Sequence, residues 1–333
     1  MSLNKKTSAT MDAIVLLKFG GPEVLEIQQV PKPEAVSQDV LIKVKAFGLN
    51  PAESHIRKGE WDVHNPIMGL ECAGIVQACP GGEIPIGSKV IAIMGGIGLL
   101  RPGSYGEYVT VPIDNVVKIE TGLSWKQLAA IPLVYACAYS SLFTMLDIHK
   151  DESLLIRGAT STIGQAAVHL AVDAGIKVTA TTRRKDRFDV IKKMGAINVI
   201  LESDDIDKEL PKDAKFDKIL NLIGNRVLVK SINLTRSGGR MLLAGWLGGL
   251  EPVTDFQPML QISAGVYFAL FNSRLLGTPE LPLSAIPFQS IVKRIEKGAW
   301  DANPVKIFDY KDIQKAHEML DSSNAGGKIV VER

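Results

Sequence analysis

Between Ser153 and Gly245 short apolar segments alternate with segments of helical periodicity, and this alternation constrains the fold more than any other feature of the chain. The strand candidates are SLLIRG (153–158), KVTATT (177–182), INVIL (197–201), KILNLI (218–223) and RMLLAG (240–245). Helical patterns fill the gaps at roughly 162–174, 186–194 and 225–235. Parallel strands cannot be joined by a tight turn; they need a crossover, normally a right-handed helical one. The pattern therefore predicts an α/β fold with a doubly wound parallel sheet.

The first crossover, SLLIRGATSTIGQAAVHLAVDAG, reads as a buried strand, a turn of small residues and a helix that begins near Thr162. A helix N-terminus presents unpaired N–H groups and a partial positive charge, so small side chains there let a pyrophosphate approach the backbone. Gly158, Ala159, Ser161 and Gly164 permit that approach, which makes Thr160, Ser161, Thr162, Ile163 and Gly164 candidate phosphate contacts. A strict G-x-G-x-x-G is absent, and a tight strand-to-helix packing turn without a ligand accounts for the same spacing. The expectation at Gly164 follows the ligand reading: Gly164→Val should weaken binding of the pyrophosphate-bearing ligand more than it lowers stability, whereas a role in helix–strand packing alone reverses the order.

The end of the next strand discriminates further. A site for NAD usually places Asp or Glu here to accept the ribose 2′-hydroxyl. In this chain Thr181-Thr182 run into Arg183, Arg184, Lys185 and Arg187, with no carboxylate at the strand tip. Cations attract a 2′-phosphate, and arginine meets one with a bidentate fork. Thr182, Arg183, Arg184 and Arg187 are therefore predicted cofactor contacts, and NADP(H) the predicted cofactor. Gly224 and Gly245, at the ends of the fourth and fifth strand candidates, join the same set.

From Met11 to about residue 120 the texture is different: AIVLLKFG, VLEIQQVPKP, the alternating DVLIKVKAFGLN, and then glycine-punctuated short strands, a mainly β, barrel-like organisation. SWKQLAAIPLVYACAYSSLFTMLD opens the helical half with Ser124 as N-cap. After a less regular stretch to Asn272, RLLGT reads as a strand, IVKRIEKG as a helix and KIVVE as a last strand. With 333 residues, two cores are expected. Thirty-eight Lys and Arg balance thirty-six Asp and Glu without a block of like charge, so no nucleic-acid partner is implied. Cys72, Cys79 and Cys137 form no C-x-x-C pair, which fits a reducing compartment, the cytoplasm. No uninterrupted apolar run approaches the roughly 18 residues of a membrane span. Residues 1–10 read as a disordered tail.

The chain resembles the zinc-free, quinone oxidoreductase-like (zeta-crystallin-like) branch of the medium-chain dehydrogenases/reductases. The resemblance is carried by GLNPAESHIRKG (48–59), GLECAGIV (69–76), GSYGEYVTVP (103–112), AAIPLVYACAYSSL (129–142), GATSTIGQAAVHLA (158–171), SGGRMLLAG (237–245) and GKIVV (327–331). It implies a GroES-like catalytic domain from residues 11–125 with 273–333, a Rossmann domain from 126–272, and a homodimer. Zinc-dependent relatives carry Cys where this chain has Asn50 and His where it has Leu70, so the resemblance implies no metal. By family position Asn50, His55 and Tyr135 are candidates for the substrate pocket, and Cys137 stands where relatives carry a Thr that binds the nicotinamide amide. Asn50 and Tyr135 read equally well as satisfied structural polar groups, and His55, which could donate a proton, is as a lone histidine more often structural.

Without a Lewis acid, a conjugated acceptor such as a quinone or an α,β-unsaturated carbonyl is the substrate class that most readily takes a hydride, because the arriving charge delocalises onto oxygen. A zinc-independent NADP-linked carbonyl or alcohol dehydrogenase and a non-enzymatic NADPH-binding protein are the alternative readings.

Overall fold

The alternating segments after Met11 fold into antiparallel sheet in the computed structural model, which describes residues 9–322 and 325–333. β1 (Thr10–Leu16) pairs with β2 (Leu25–Pro31). β3 (Asp39–Gly48) lies between β4 (Glu71–Ala78) and further strands; β4 continues into β5 (Lys89–Ile93), β6 (Tyr108–Pro112) pairs with β3, and β7 (Val116–Lys118) pairs with β5. Between β3 and β4, α1 (Pro51–Lys58) starts at Asn50 with Pro51 in its first turn and ends at Gly59, whose φ of 75° favours glycine. The proline at 132 divides the next apolar run into α2 (Trp125–Leu128) and α3 (Pro132–Tyr139). By length and composition Trp125–Met145 would cross a membrane, but 78% of its apolar window is buried in the fold.

The predicted crossovers follow. β8 (Ser153–Arg157), α4 (Thr162–Asp173), β9 (Lys177–Thr182), α5 (Phe188–Lys193), β10 (Asn198–Leu201), β11 (Phe216–Asn221), α6 (Leu228–Leu234), β12 (Thr235–Leu243), α7 (Pro258–Gln261) and β13 (Tyr267–Leu270) succeed one another along the chain. All neighbouring strands are parallel, in the order β10-β9-β8-β11-β12-β13. That order reverses direction between β8 and β11, the switch point at whose carboxyl edge such sheets bind ligands. The chain then gives α8 (Phe288–Glu296), β14 (Lys306–Asp309), α9 (Ile313–Asp321) and β15 (Ile329–Glu332), and β15 joins β14 to β3.

Two compact units result: residues up to Leu133 with Arg274–Arg333, and Val134–Ser273. The sequence placed the divisions at 125/126 and 272/273. Residues 126–133 fall in the first unit because α2 packs on β3, β4 and β15, and because the Leu133 N–H donates to Glu71 of β4 at 2.8 Å. The expected tail is shorter at its end, since Thr10 pairs with Pro31 in β1; residues 1–8 lie outside the described residues. RLLGT is no strand, only an isolated bridge between Leu276 and Leu281. The sixth parallel strand is instead β13, inside the stretch read as irregular. Its YFAL carries exposed Tyr267, Phe268 and Leu270, a pattern that burial does not dictate.

Candidate functional site

In the second unit β8 runs into Gly158, whose φ of 87° suits glycine. The turn is laced to β9: Gly158 N–H donates to Thr181 Oγ1 at 3.1 Å and Ala159 N–H to the Thr181 carbonyl at 2.9 Å. Ser161 caps α4, its hydroxyl accepting from Gly164 N–H at 3.1 Å and donating to the Gly158 carbonyl at 2.9 Å. Among the described residues, the N–H groups of Thr160, Thr162 and Ile163 take no intrachain partner. Unpaired donors on a half-buried turn at the head of a 12-residue helix fit the phosphates of a dinucleotide.

Gly164 has a different task from the one its place in the phosphate set suggested. A Cβ there would stand 2.4 Å from the Gly158 carbonyl oxygen and 2.7 Å from Ala159 Cα, so the missing side chain lets the helix close on the turn. Its N–H is spent on Ser161. The same holds for Gly245, where a Cβ would meet the Leu222 carbonyl at 2.6 Å, and for Gly224, at φ 110°, whose Cβ would sit 3.1 Å from Trp246 Cα. Both lie beyond the carboxyl ends of β11 and β12, where their lack of side chain allows the two loops to touch.

At the tip of β9, Thr182 is buried, with its hydroxyl 3.4 Å from that of Thr160 and accepting the Arg184 N–H at 3.2 Å. Arg183 is exposed and Arg187 half-buried; neither has an ion pair among the described residues. Arg184 is less available than expected. Its fork closes on Asp186 at 2.5 and 3.1 Å and holds that carboxyl below its ordinary range, so the cationic run contains an acid that neutralises one of its members. On α3, Cys137 and Tyr135 are both buried, and the Tyr135 hydroxyl lies 3.1 Å from His169 Nδ1 on α4, which commits it within the second unit.

In the first unit Asn50 belongs to a buried polar cluster. Lys328, at the entry to β15, donates to Glu71 Oε1 at 2.5 Å and to Asn50 Oδ1 at 2.6 Å; Asn50 Nδ2 donates to Glu71 Oε1 at 3.0 Å. Glu71 Oε2 accepts the Leu133 N–H. Both ends of the Asn50 amide are thus engaged by protein. Glu53, fully buried one helical turn into α1, accepts N–H bonds from Asn50 and, at 3.2 Å, from Leu70. Desolvation pushes its carboxyl up to about 8, against the pull of Lys328. His55 stacks on Trp61 with ring centroids 5.4 Å apart and meets Glu60 through Nδ1. The sequence candidates include neither Glu53 nor Lys328; Asn50-x-x-Glu53 is a capping-box spacing, whereas the burial of Lys328 leaves no local signal. A recess of about 690 Å³ between β7 and residues 277–289 contains none of these groups.

Comparisons with known proteins fit both units. Residues 36–121 match the alcohol dehydrogenase GroES-like domain family, and residues 162–277 the zinc-binding dehydrogenase family. Quinone oxidoreductases of Lama guanicoe and Homo sapiens are 31% and 30% identical to this chain, over 96% of it and 97% of each relative. The chain belongs to the quinone oxidoreductase-like medium-chain dehydrogenase/reductase family. It is an oxidoreductase of a family that binds a nicotinamide cofactor. Solved structures share the fold: the quinone oxidoreductase of Pseudomonas syringae has a TM-score of 0.83 at 23% identity, covering 97% of this chain and all of that one. A mycobacterial protein solved with NADPH has a TM-score of 0.82 at 21% identity, with coverage of 97% and 100%.

Proposed function

We propose that this oxidoreductase transfers hydride from NADPH to a quinone or an α,β-unsaturated carbonyl without a metal ion. The observation that carries the cofactor choice is the tip of β9. Arg183 and Arg187 stand there without ion pairs among the described residues, while the neighbouring acid Glu202 is turned inward onto Arg157. A 2′-phosphate would meet cations and no competing carboxylate apart from Asp186, which Arg184 engages. Thr160, Thr162 and Ile163 supply backbone donors for the pyrophosphate. When bound, the cofactor supplies the hydride.

The absence of a metal requirement is supported by what occupies the positions that zinc-dependent relatives use. An ammonium sits between Asn50 and Glu71, and a dication at that spot would have to displace it. A substrate that spreads its own developing charge suits such a site better than an alcohol or simple ketone. In an enone the hydride goes to the β-carbon and a proton to the enolate; His55, linked to Glu60, is the side chain we propose to relay that proton. NADPH oxidation assayed with quinones, enones, ketones and alcohols checks this. Turnover with conjugated acceptors supports the proposal, turnover only with ketones or alcohols favours a carbonyl or alcohol dehydrogenase, and NADPH binding without turnover would make the protein a binder.

We further propose a homodimer joined along β13. Among the described residues this strand pairs only with β12, and its exposed Tyr267, Phe268 and Leu270 continue toward exposed Met259 and Leu260. An unpaired apolar edge suits a second copy of itself across a twofold axis. Sedimentation should give a dimer for the parent and a monomer for Phe268→Lys. Three cysteines without a disulfide framework support a cytoplasmic location.

A further inference from the structure

Arg157 is the last residue of β8, at the centre of the parallel sheet, and its side chain is fully buried. A guanidinium there is costly unless its donors are met. They are met by one acid: Nη2 lies 2.5 Å from Glu202 Oε1 and Nε 3.2 Å from Oε2, while Nη1 donates to Ser231 Oγ at 3.0 Å. Glu202 follows β10, its side chain 1% exposed, and its N–H donates to the Thr182 carbonyl at 2.9 Å, which fixes its backbone against the tip of β9. The carboxylate also accepts the Thr181 hydroxyl at 2.5 Å, and that hydroxyl in turn accepts the Gly158 N–H of the phosphate turn. One connected network therefore joins the turn, the strand tip and the acid beside it.

This arrangement has a consequence for cofactor choice. The chain does place a carboxylate beside the strand tip, one strand further out than the acid of an NAD site, and the fork of Arg157 holds both its oxygens inside. We propose that Arg157 is a positioning residue that sets cofactor preference by sequestering Glu202. Released, the carboxylate is too costly to leave buried and unpaired, and it turns toward Arg183, where it competes with a 2′-phosphate and accepts from a ribose hydroxyl. The proposal rests on the NADPH reading above, and it assigns to a residue that never touches the cofactor a share of that preference.

The test is the ratio of dissociation constants for NADPH and NADH, measured by titration of the full chain in the parent, in Arg157→Met and in the double variant Arg157→Met/Glu202→Leu. Arg157→Met should raise the ratio about tenfold, the equivalent of one charge-assisted bond. The double variant, which replaces the buried pair by apolar side chains, should fold and return the ratio to near the parent value. Equal losses for both cofactors in Arg157→Met would overturn the proposal, because a brace for the fold alone predicts them. A shift that persists in the double variant would overturn it too, since Glu202 would not be the agent. If Arg157→Met does not fold, Arg157→Gln removes the charge that holds Glu202 while keeping a polar side chain for Ser231 and should shift the ratio in the same direction; an unchanged ratio there decides against the proposal. Equal affinity for both cofactors in the parent would refute the NADPH reading instead, while the change in ratio still judges Arg157.

Discussion

Replacing Glu53 by glutamine should change how stability depends on pH, and the sign follows from burial. Glu53 is fully buried, and desolvation raises its carboxyl from 4.5 to about 8. Between those values the folded chain keeps a proton that the unfolded chain releases. Stability from this group is therefore complete below about pH 4.5 and is lost as pH rises toward 8. At 1.36 kcal/mol per pH unit, the shift from 4.5 to about 8 amounts to about 5 kcal/mol. Glutamine has the shape of the neutral acid and keeps an oxygen for the N–H of Asn50 or Leu70. Urea unfolding of parent and Glu53→Gln at several pH values from 5 to 9 isolates the group, because every other titration is common to both. The variant, whose amide nitrogen faces one of those N–H groups and cannot accept from it, should lie about 1–3 kcal/mol below the parent near pH 5 and gain on it by several kcal/mol as pH rises above 8. Parallel pH profiles would refute the reasoning and mean that Glu53 is ionised in the folded chain throughout.

Three further outcomes are expected. Gly164→Ala places a Cβ 2.4 Å from a backbone carbonyl, so denaturant titration should show a loss of about 1–3 kcal/mol while the folded fraction keeps more of its NADPH affinity; binding lost at unchanged stability would restore a ligand-facing role for Gly164. Lys328→Met strands the buried Glu71 carboxylate and should cost about 3–5 kcal/mol, with Lys328→Met/Glu71→Gln recovering part of it in a double-mutant cycle; strictly additive losses would argue against the pair. Exhaustive chelation should leave turnover and Tm unaltered, whereas stoichiometric zinc lost together with activity would contradict metal-free chemistry.

Much of this architecture can be read from periodicity. KVTATT coincides with β9, and the turn before α4 was placed correctly, because a buried parallel strand and a capped helix both leave strong local patterns. β13 was not legible, since an exposed apolar edge strand has no core face to impose alternation. Arg183 is exposed and Arg187 half-buried past the end of β9, while the closure of Arg184 on Asp186 depends on a local turn that composition does not reveal. The cluster of Asn50, Glu53, Glu71 and Lys328 draws on three distant segments. Each residue alone reads as a solvated polar side chain, and only the fold brings β15 beside β3 and so places Lys328 over Glu71. Tyr135 shows the same limit, because its partner His169 lies on another helix.

The most direct measurement is the fate of the hydride. Incubation of the protein with an α,β-unsaturated ketone and NADPH deuterated at C4 of the nicotinamide, in ordinary water, should give a saturated ketone carrying one deuterium at its β-carbon by mass spectrometry and NMR, when the transferred position bears the label. The same reaction with unlabelled NADPH in D₂O should place deuterium at the α-carbon alone. Failure to reduce both the enone and a quinone, or a β-carbon that takes its hydrogen from solvent, would contradict direct hydride transfer to a conjugated acceptor.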